Sequence, residues 1–325
     1  MKILFFTHLT EEFPALIDEL KEKWKEHSFI CARSKDEYLE HALDSHILVY
    51  GNPSDDIIKR AAELKLIIVP YAGVGQLNFP LIRSRMISVA NSHGNGAVVA
   101  ERALGLAMAC CGRIVEFHND MKEGNWHRTG DQSRPFDYWY SIAGKKISIL
   151  GTGSIGKSLS RLLKGFDCSV LGFRKNSGEL TDYFDAITTD LDEALRFGDL
   201  VFLALPSTKE TENIISRDKI SLLEGKFVIN VGRGSLIEEE PFFDALKSGT
   251  VKGAGIDAWY EYPSKENPAV TGSAFPFHEL PNVVISPHAA SHAPEGKLGQ
   301  LTGACQVLET YLHNGTVINS ITGDY

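Results

Sequence analysis

Short apolar runs alternate with amphipathic stretches along almost the whole chain, which narrows the available architectures sharply. KILFF, SFICA, HILVY, LKLIIVP and MISVAN read as buried strands in the first third. Between them, EEFPALIDELKEKWKE, DEYLEHAL and DDIIKRAAEL carry apolar residues at helical spacing. A second series begins at KKISIL and continues through CSVLGF, DLVFLAL, KFVINV, VKGAGID and NVVIS. Short apolar strands separated by amphipathic helices belong in parallel sheets with helices on both faces. The pattern predicts an α/β protein with two doubly wound parallel-sheet domains. The 325 residues suffice for two domains of ordinary size, each with its own core.

Between the two series, the stretch from about Gly96 to Lys122 reads as one long helix. It is apolar on more than one face, so it is expected to lie buried between domains or between subunits. A last helix, about Pro294 to His313, follows the second series and is expected to return to the first domain. The expected boundaries are therefore about 1–95 plus 290–325 for one domain and about 96–289 for the other.

The formal charge of −9 argues against a nucleic-acid partner, because binding a phosphate backbone needs a basic face. No apolar run is long enough to span a membrane, and MKILFF is too short for the core of a signal peptide. The five cysteines, Cys31, Cys110, Cys111, Cys168 and Cys305, form no CxxC pair and no metal-ligand spacing. Buried thiols in a reducing compartment and no metal site are the expectation, and a cytoplasmic location follows by elimination.

In KKISILGTGSIGKSLSRLLKGF, Gly151, Gly153 and Gly156 stand in the GxGxxG spacing. The pattern alone is weak, but here a buried strand precedes it and an amphipathic helix follows, which is the context a dinucleotide loop needs. Gly151 permits the tight turn, Gly153 lets the backbone approach a pyrophosphate, and Gly156 lets the helix pack close to the sheet. Ser154 and Ile155, at the helix start, offer N–H groups and a partial positive charge to the phosphates.

The residue that grips the adenosine ribose ends the next strand, about twenty residues on. There the chain has Phe173, then Arg174, 18 residues beyond Gly156, then Lys175, with Ser177 close by. A carboxylate at that place accepts a 2′-hydroxyl and repels a 2′-phosphate, and an arginine does the opposite. The loop therefore predicts a preference for NADP, with NAD use retained if the basic residues only face solvent.

YAGVG, NSHGNGAVVAE, LGTGSIGKSL, LALPSTKETENII, FVINVGRGSLIEEEPFFDAL, GAGIDAWYEYP and LPNVVISPHAASH occur in that order and span nearly the whole chain. In these segments the chain resembles the D-isomer-specific 2-hydroxyacid dehydrogenase family, which includes glyoxylate/hydroxypyruvate reductases and phosphoglycerate dehydrogenases. The resemblance implies a flavodoxin-like substrate domain, a Rossmann cofactor domain, a homodimer formed through the long helix, and a closing cleft between the domains. It also implies hydride transfer between a nicotinamide cofactor and a small 2-hydroxy acid/2-keto acid pair.

The resemblance places the catalytic arginine at Arg233, in NVGRGSL, where a planar fork of donors suits a substrate carboxylate and carbonyl oxygen. It places the catalytic histidine at His288, in SPHAASH, with His292 as its rival four residues on. Histidine suits proton transfer in both directions because its ordinary pKa lies near neutrality. The family's third member, a glutamate just before a proline, is missing. Tyr262 precedes Pro263, and Glu261 stands one place earlier. Adjacent residues of an extended segment point to opposite sides, so only one of the two meets the histidine without a bend. The gapless alignment favours Tyr262 and keeps Glu261 as the rival.

The substrate loop implied by the resemblance is YAGVG, with Ala72, Gly73, Val74 and Gly75. Gly75 stands where the family commonly has an aspartate. His93 is either a substrate contact or an interdomain hydrogen-bonding group. Pro206, Thr211, Val231 and Gly232 lie on loops after strand ends, where such cofactors bind. Asp257 is implied as the partner of the nicotinamide carboxamide. Two other functions remain open from sequence: a nicotinamide-sensing binding protein with little catalysis, or a dehydrogenase of another small acid anion such as formate.

Overall fold

A computed structural model describes residues 1–126 and 138–323. Part of the loop between the long helical stretch and the second series, residues 127–137, lies outside the described residues, as do the last two residues. The chain divides into two compact units, Met1–Asn95 with His292–Tyr325, and Gly96–Ser291.

The first unit is built on five parallel strands, β1 (Lys2–Phe5), β2 (Ser28–Cys31), β3 (Ile47–Val49), β4 (Leu66–Val69) and β5 (Ser88–Asn91), in the order β2-β1-β3-β4-β5. This is the flavodoxin-like order. Ile3, Leu4, Phe5, Ile47, Leu48 and every residue of β4 are fully buried. Successive side chains of such strands enter opposite faces of the sheet, and each face holds its own apolar cluster. The helix Pro294–Asn314 supplies Leu301, Ala304, Cys305, Val307 and Leu308 to one of these clusters. The chain then returns to pair Ser320 with Ala90 in an isolated antiparallel bridge beside β5.

The second unit holds seven parallel strands: β6 (Lys146–Leu150), β7 (Ser169–Phe173), β8 (Ala186–Thr188), β9 (Leu200–Leu203), β10 (Phe227–Asn230), β11 (Gly253–Ile256) and β12 (Val283–Ile285). Their order is β12-β11-β10-β9-β6-β7-β8, so the strand order reverses beside β6. Ligands of open α/β sheets bind outside the carboxyl ends of the strands at that reversal. Ile147, Ile149 and Leu150 of β6 are wholly buried, each stabilising the fold by about 1.5–3 kcal/mol relative to exposure.

Two local expectations change. The helix expected across EEFPALIDELKEKWKE is two, Leu9–Glu12 and Pro14–Lys23, because Pro14 takes the first helical position of a new helix after Phe13. The stretch from Gly96 to Lys122 is likewise two helices, Gly96–Cys111 and Ile114–Lys122, broken where Arg113 adopts φ 51°. The first packs Val99, Ala103, Leu106 and Cys110 into the second unit's own core, whereas the second has no buried residue. The edge strand β8 and the helix Phe79–Ser84 were not foreseen.

Candidate active site

The glycine loop follows β6 directly. Gly151 has φ 111°, and a Cβ there would lie 2.7 Å from the Ala204 carbonyl oxygen. A Cβ on Gly156 would lie 2.0 Å from the Gly151 carbonyl oxygen, so the helix Ser154–Lys164 approaches the turn at a distance only glycine allows. A Cβ on Gly153 would meet nothing within 4 Å, which leaves room for a ligand against the backbone. Gly153 and Ser154 are exposed and Ile155 is half-buried at the start of the helix Ser154–Lys164, the end of a helix that favours an anion. The loop fits a dinucleotide pyrophosphate.

At the end of β7, Arg174 is half-buried, and its Nη2 donates to the Glu179 carbonyl oxygen at 2.7 Å. Its Nε is buried without a hydrogen-bond partner. Lys175 donates to both carboxylate oxygens of Glu210 at 2.6 Å, and Ser177 is exposed. Across the loop after β9, the Thr211 hydroxyl donates to the Pro206 carbonyl oxygen at 2.6 Å and closes the turn.

Arg233 stands in the loop after β10, half-buried between the buried residues Gly232 and Gly234, with Val231 buried beneath it. Its Nη1 donates to the Gly232 carbonyl at 2.7 Å. Asn230, at the end of β10 and 3% exposed, braces the loop on both sides. Its Oδ1 accepts the Gly232 N–H at 3.0 Å and its Nδ2 donates to the Arg233 carbonyl at 2.9 Å. A Cβ on Gly234 would sit 2.3 Å from the Trp259 carbonyl carbon, so the arginine loop presses directly on the segment after β11.

That segment carries the histidine's partner. The Tyr262 hydroxyl stands 3.2 Å from His288 Nδ1, and the two rings meet edge to face at 5.0 Å. The same hydroxyl oxygen accepts the Trp259 backbone N–H at 3.1 Å. Glu261 faces elsewhere, its carboxylate accepting the Asn267 side-chain amide at 3.2 Å. His288 is exposed, in the turn after β12, with φ 55°.

Asp257, 2% exposed, lies beneath that turn. Oδ1 accepts the Ser286 hydroxyl and, at 2.9 Å, the Ala289 N–H, while Oδ2 accepts the Ala290 N–H at 3.0 Å. A mostly apolar cavity of about 390 Å³ adjoins His288 and Tyr262, walled by Trp259, Val270, Ile285 and Pro287, with Glu261 and His278 also on its lining.

In the first unit, the loop after β4 holds Ala72 and Gly75 exposed, Gly73 half-buried and Val74 buried. Asn91, at the end of β5 and 3% exposed, donates to the Ala72 carbonyl at 2.7 Å. A side chain at Gly75 would meet nothing within 4 Å, so its smallness answers no packing need in this unit. His93 is exposed after β5, and His292 opens the unit's second segment.

Sequence reasoning missed Asn91, Asn230 and Ser286. Each is a buried polar residue at, or one place beyond, the carboxyl end of an apolar strand, and that placement was the available signal. Among the described residues, no three His, Cys, Asp or Glu side chains group as a metal site, and no helix is long and apolar enough to cross a membrane.

Residues 104–290, more than half of the chain, match the family described as D-isomer specific 2-hydroxyacid dehydrogenase, NAD binding domain. Over 72% of both chains, 31% of residues are identical to a glycerate dehydrogenase of Methylorubrum extorquens. A glyoxylate/hydroxypyruvate reductase of Arabidopsis thaliana is 28% identical over 97% of this chain and 93% of its own. A D-3-phosphoglycerate dehydrogenase of Methanocaldococcus jannaschii is 27% identical over 91% of this chain, which spans only 55% of that relative's length. The crystal structure of a Pyrococcus horikoshii protein, 25% identical, superposes with a TM-score of 0.80 over 99% of this chain and 95% of its own. By its fold, its glycine loop and this match, the chain belongs to the D-isomer specific 2-hydroxyacid dehydrogenases, oxidoreductases with an NAD-binding domain.

Proposed function

We propose that this chain is a keto-acid reductase of glyoxylate/hydroxypyruvate type, with residues 96–289 as its cofactor domain and 1–95 plus 290–325 as its substrate domain. The observation that carries this reading is the presentation of His288: an exposed imidazole, oriented through Nδ1 by the Tyr262 hydroxyl, on the turn after β12. Arg233 is presented two strands away, on the loop after β10. The names of the glycerate dehydrogenase and hydroxypyruvate reductase relatives point to small, polar 2-keto acids.

In the proposed chemistry, the guanidinium of Arg233 holds the substrate carboxylate and carbonyl oxygen. Ala72, Gly73, Val74, Gly75 and His93 are retained as candidate substrate contacts of the first unit. His288, as imidazolium, gives a proton to the carbonyl oxygen during reduction, and the neutral ring takes one back during oxidation. The nicotinamide, when bound, supplies or accepts the hydride. Gly151, Gly153, Ser154, Ile155 and Gly156 would hold its pyrophosphate. Pro206, Thr211, Val231 and Gly232 would line the remainder of the site, and Asp257 would receive the carboxamide.

We infer further a preference for NADP over NAD. Arg174 presents a guanidinium whose buried Nε has no partner, and Glu179 gives it a backbone carbonyl only. Exposed Ile114, Val115, Met121, Trp126, Tyr138 and Trp139 in the second unit support a homodimer. Five free cysteines, four of them buried, suit the reducing cytoplasm.

The test is a substrate panel. NADPH and NADH oxidation is followed with glyoxylate, hydroxypyruvate, pyruvate, phenylpyruvate and phosphohydroxypyruvate. Turnover highest with glyoxylate or hydroxypyruvate supports the reading. Cofactor binding without turnover on any of them overturns it in favour of a nicotinamide-sensing protein.

A further inference from the structure

His288 adopts φ 55°, a backbone region that residues with a Cβ rarely enter. Such a conformation persists only where the surroundings over-determine it, and it recurs at functional sites. Here a buried carboxylate gathers much of the turn. Asp257 takes three donors from the five-residue turn that carries the histidine: the Ser286 hydroxyl before it, and the Ala289 and Ala290 N–H groups after it. Ser286 is itself 3% exposed, and its hydroxyl oxygen accepts Arg102 Nη2 at 3.1 Å. Its carbonyl accepts the Trp259 indole N–H at 2.8 Å and the His288 backbone N–H at 3.0 Å. Every polar group of Ser286 named here is engaged in fixing the turn.

We propose that Asp257 and Ser286 are positioning residues for His288, locking the Ser286–Ala290 turn so that the imidazole keeps one place throughout the reaction. This rests on the reading of His288 as the acid–base group. A carboxylate offers about four acceptor places. The turn fills three in Asp257, which leaves one, on Oδ2, for a cofactor amide. One side chain thereby joins the floor of the cofactor site to the proton-transfer group. The arrangement serves catalysis because misplacing an acid–base group by about 1 Å costs on the order of a hundredfold in rate.

Ser286→Ala removes one donor without adding a charge or bulk. Its kcat is expected to fall about tenfold or more, while the cofactor Kd, read by nucleotide fluorescence, stays within about twofold. In a His288→Ala background the same change is expected to lower kcat no further, because its effect passes through the histidine. Amide hydrogen exchange across residues 286–290 is expected to quicken about tenfold in Ser286→Ala, and further in Asp257→Asn, whose new NH₂ faces an N–H donor. An equal loss of kcat in the His288→Ala background would overturn the proposal, as would unchanged exchange across the turn. If the wild type turns over no keto acid, the proposed function fails, and the exchange comparison alone still decides whether these two residues lock the turn.

Discussion

The cofactor preference can be tested at a single position, Arg174. Its guanidinium is steered by the Glu179 carbonyl at 2.7 Å, and a Cβ at Gly178 would come within 2.9 Å of its Nη2, so the fork is confined. A charge-assisted contact from such a group to a 2′-phosphate contributes about 1.5–3 kcal/mol. Each 1.4 kcal/mol is about tenfold, so Arg174→Asp should lower kcat/KM for NADPH by about ten- to a hundredfold. The new carboxylate repels the phosphate and accepts a ribose diol, so the NADH value should hold or rise. Lys175 will not compensate in full, because Glu210 already holds its ammonium. That pair is exposed and contributes only about 0–1 kcal/mol, so Glu210→Gln should free Lys175 and raise NADPH use modestly. The assay is kcat/KM for both cofactors with one saturating keto acid. A wild type that favours NADH, or an Arg174→Asp ratio unchanged within about threefold, would show that this loop makes no contact with the ribose.

Arg233→Ala should raise KM for the keto acid and lower kcat together, whereas His288→Ala should act mainly on kcat; near wild-type turnover in both would remove them from the site. Tyr262→Phe should lower kcat about tenfold and alter the pH–rate profile, since it strips a partner from Nδ1 and from the Trp259 N–H, while Glu261→Gln should leave both unchanged. Asp185 should carry part of the acid sensitivity of folding. The Lys164 ammonium and then the Val170 N–H hold its carboxyl below the ordinary range. Its contribution is therefore complete above about pH 4 and lost as pH falls through the lowered folded value. Urea melts from pH 7 to 3 should show Asp185→Asn less stable at neutrality and converging with wild type in acid.

The central strands were legible because they are buried on both faces and so appear as short, mostly apolar runs. β8 was not, because Ala186–Thr188 is a three-residue edge strand with a single strongly apolar residue, whereas the equally short edge strand β12 carries Val283, Val284 and Ile285. Helix breaks were read poorly for a different reason. At Gly112-Arg113 the apolar pattern continues across the break, which is marked by the glycine after Cys111 and the positive φ of Arg113. The glycines of the nucleotide loop were legible in number and position, whereas the tolerances that demand them are not local. Gly151 is small because of Ala204, and Gly234 because of Trp259, partners 53 and 25 residues away. The polar braces follow the same rule. Asn91 and Asn230 look alike in sequence, each ending a buried strand, yet one supports the loop after β4 and the other the loop that carries Arg233.

At Tyr262 and Glu261 the structure separates two neighbouring candidates by their hydrogen bonds. Two candidates stood side by side in the sequence, on a segment that bends at Ala258 and Tyr260 rather than running extended. The tyrosine reaches the imidazole, and the glutamate turns to Asn267. The consequence follows from what each group can do. A carboxylate accepts hydrogen bonds and supplies a negative charge, so it orients the ring and favours the imidazolium at once. A hydroxyl can donate to Nδ1 of a neutral ring or accept from Nδ1–H of a charged one. Its oxygen already accepts the Trp259 N–H and retains a second lone pair for that purpose. Tyr262 can therefore hold the ring's orientation in both protonation states without supplying charge to either. In the proposed chemistry Tyr262 therefore serves ring orientation and not charge stabilisation, while the hydrogen bonds of Asp257 fix the turn that carries the ring.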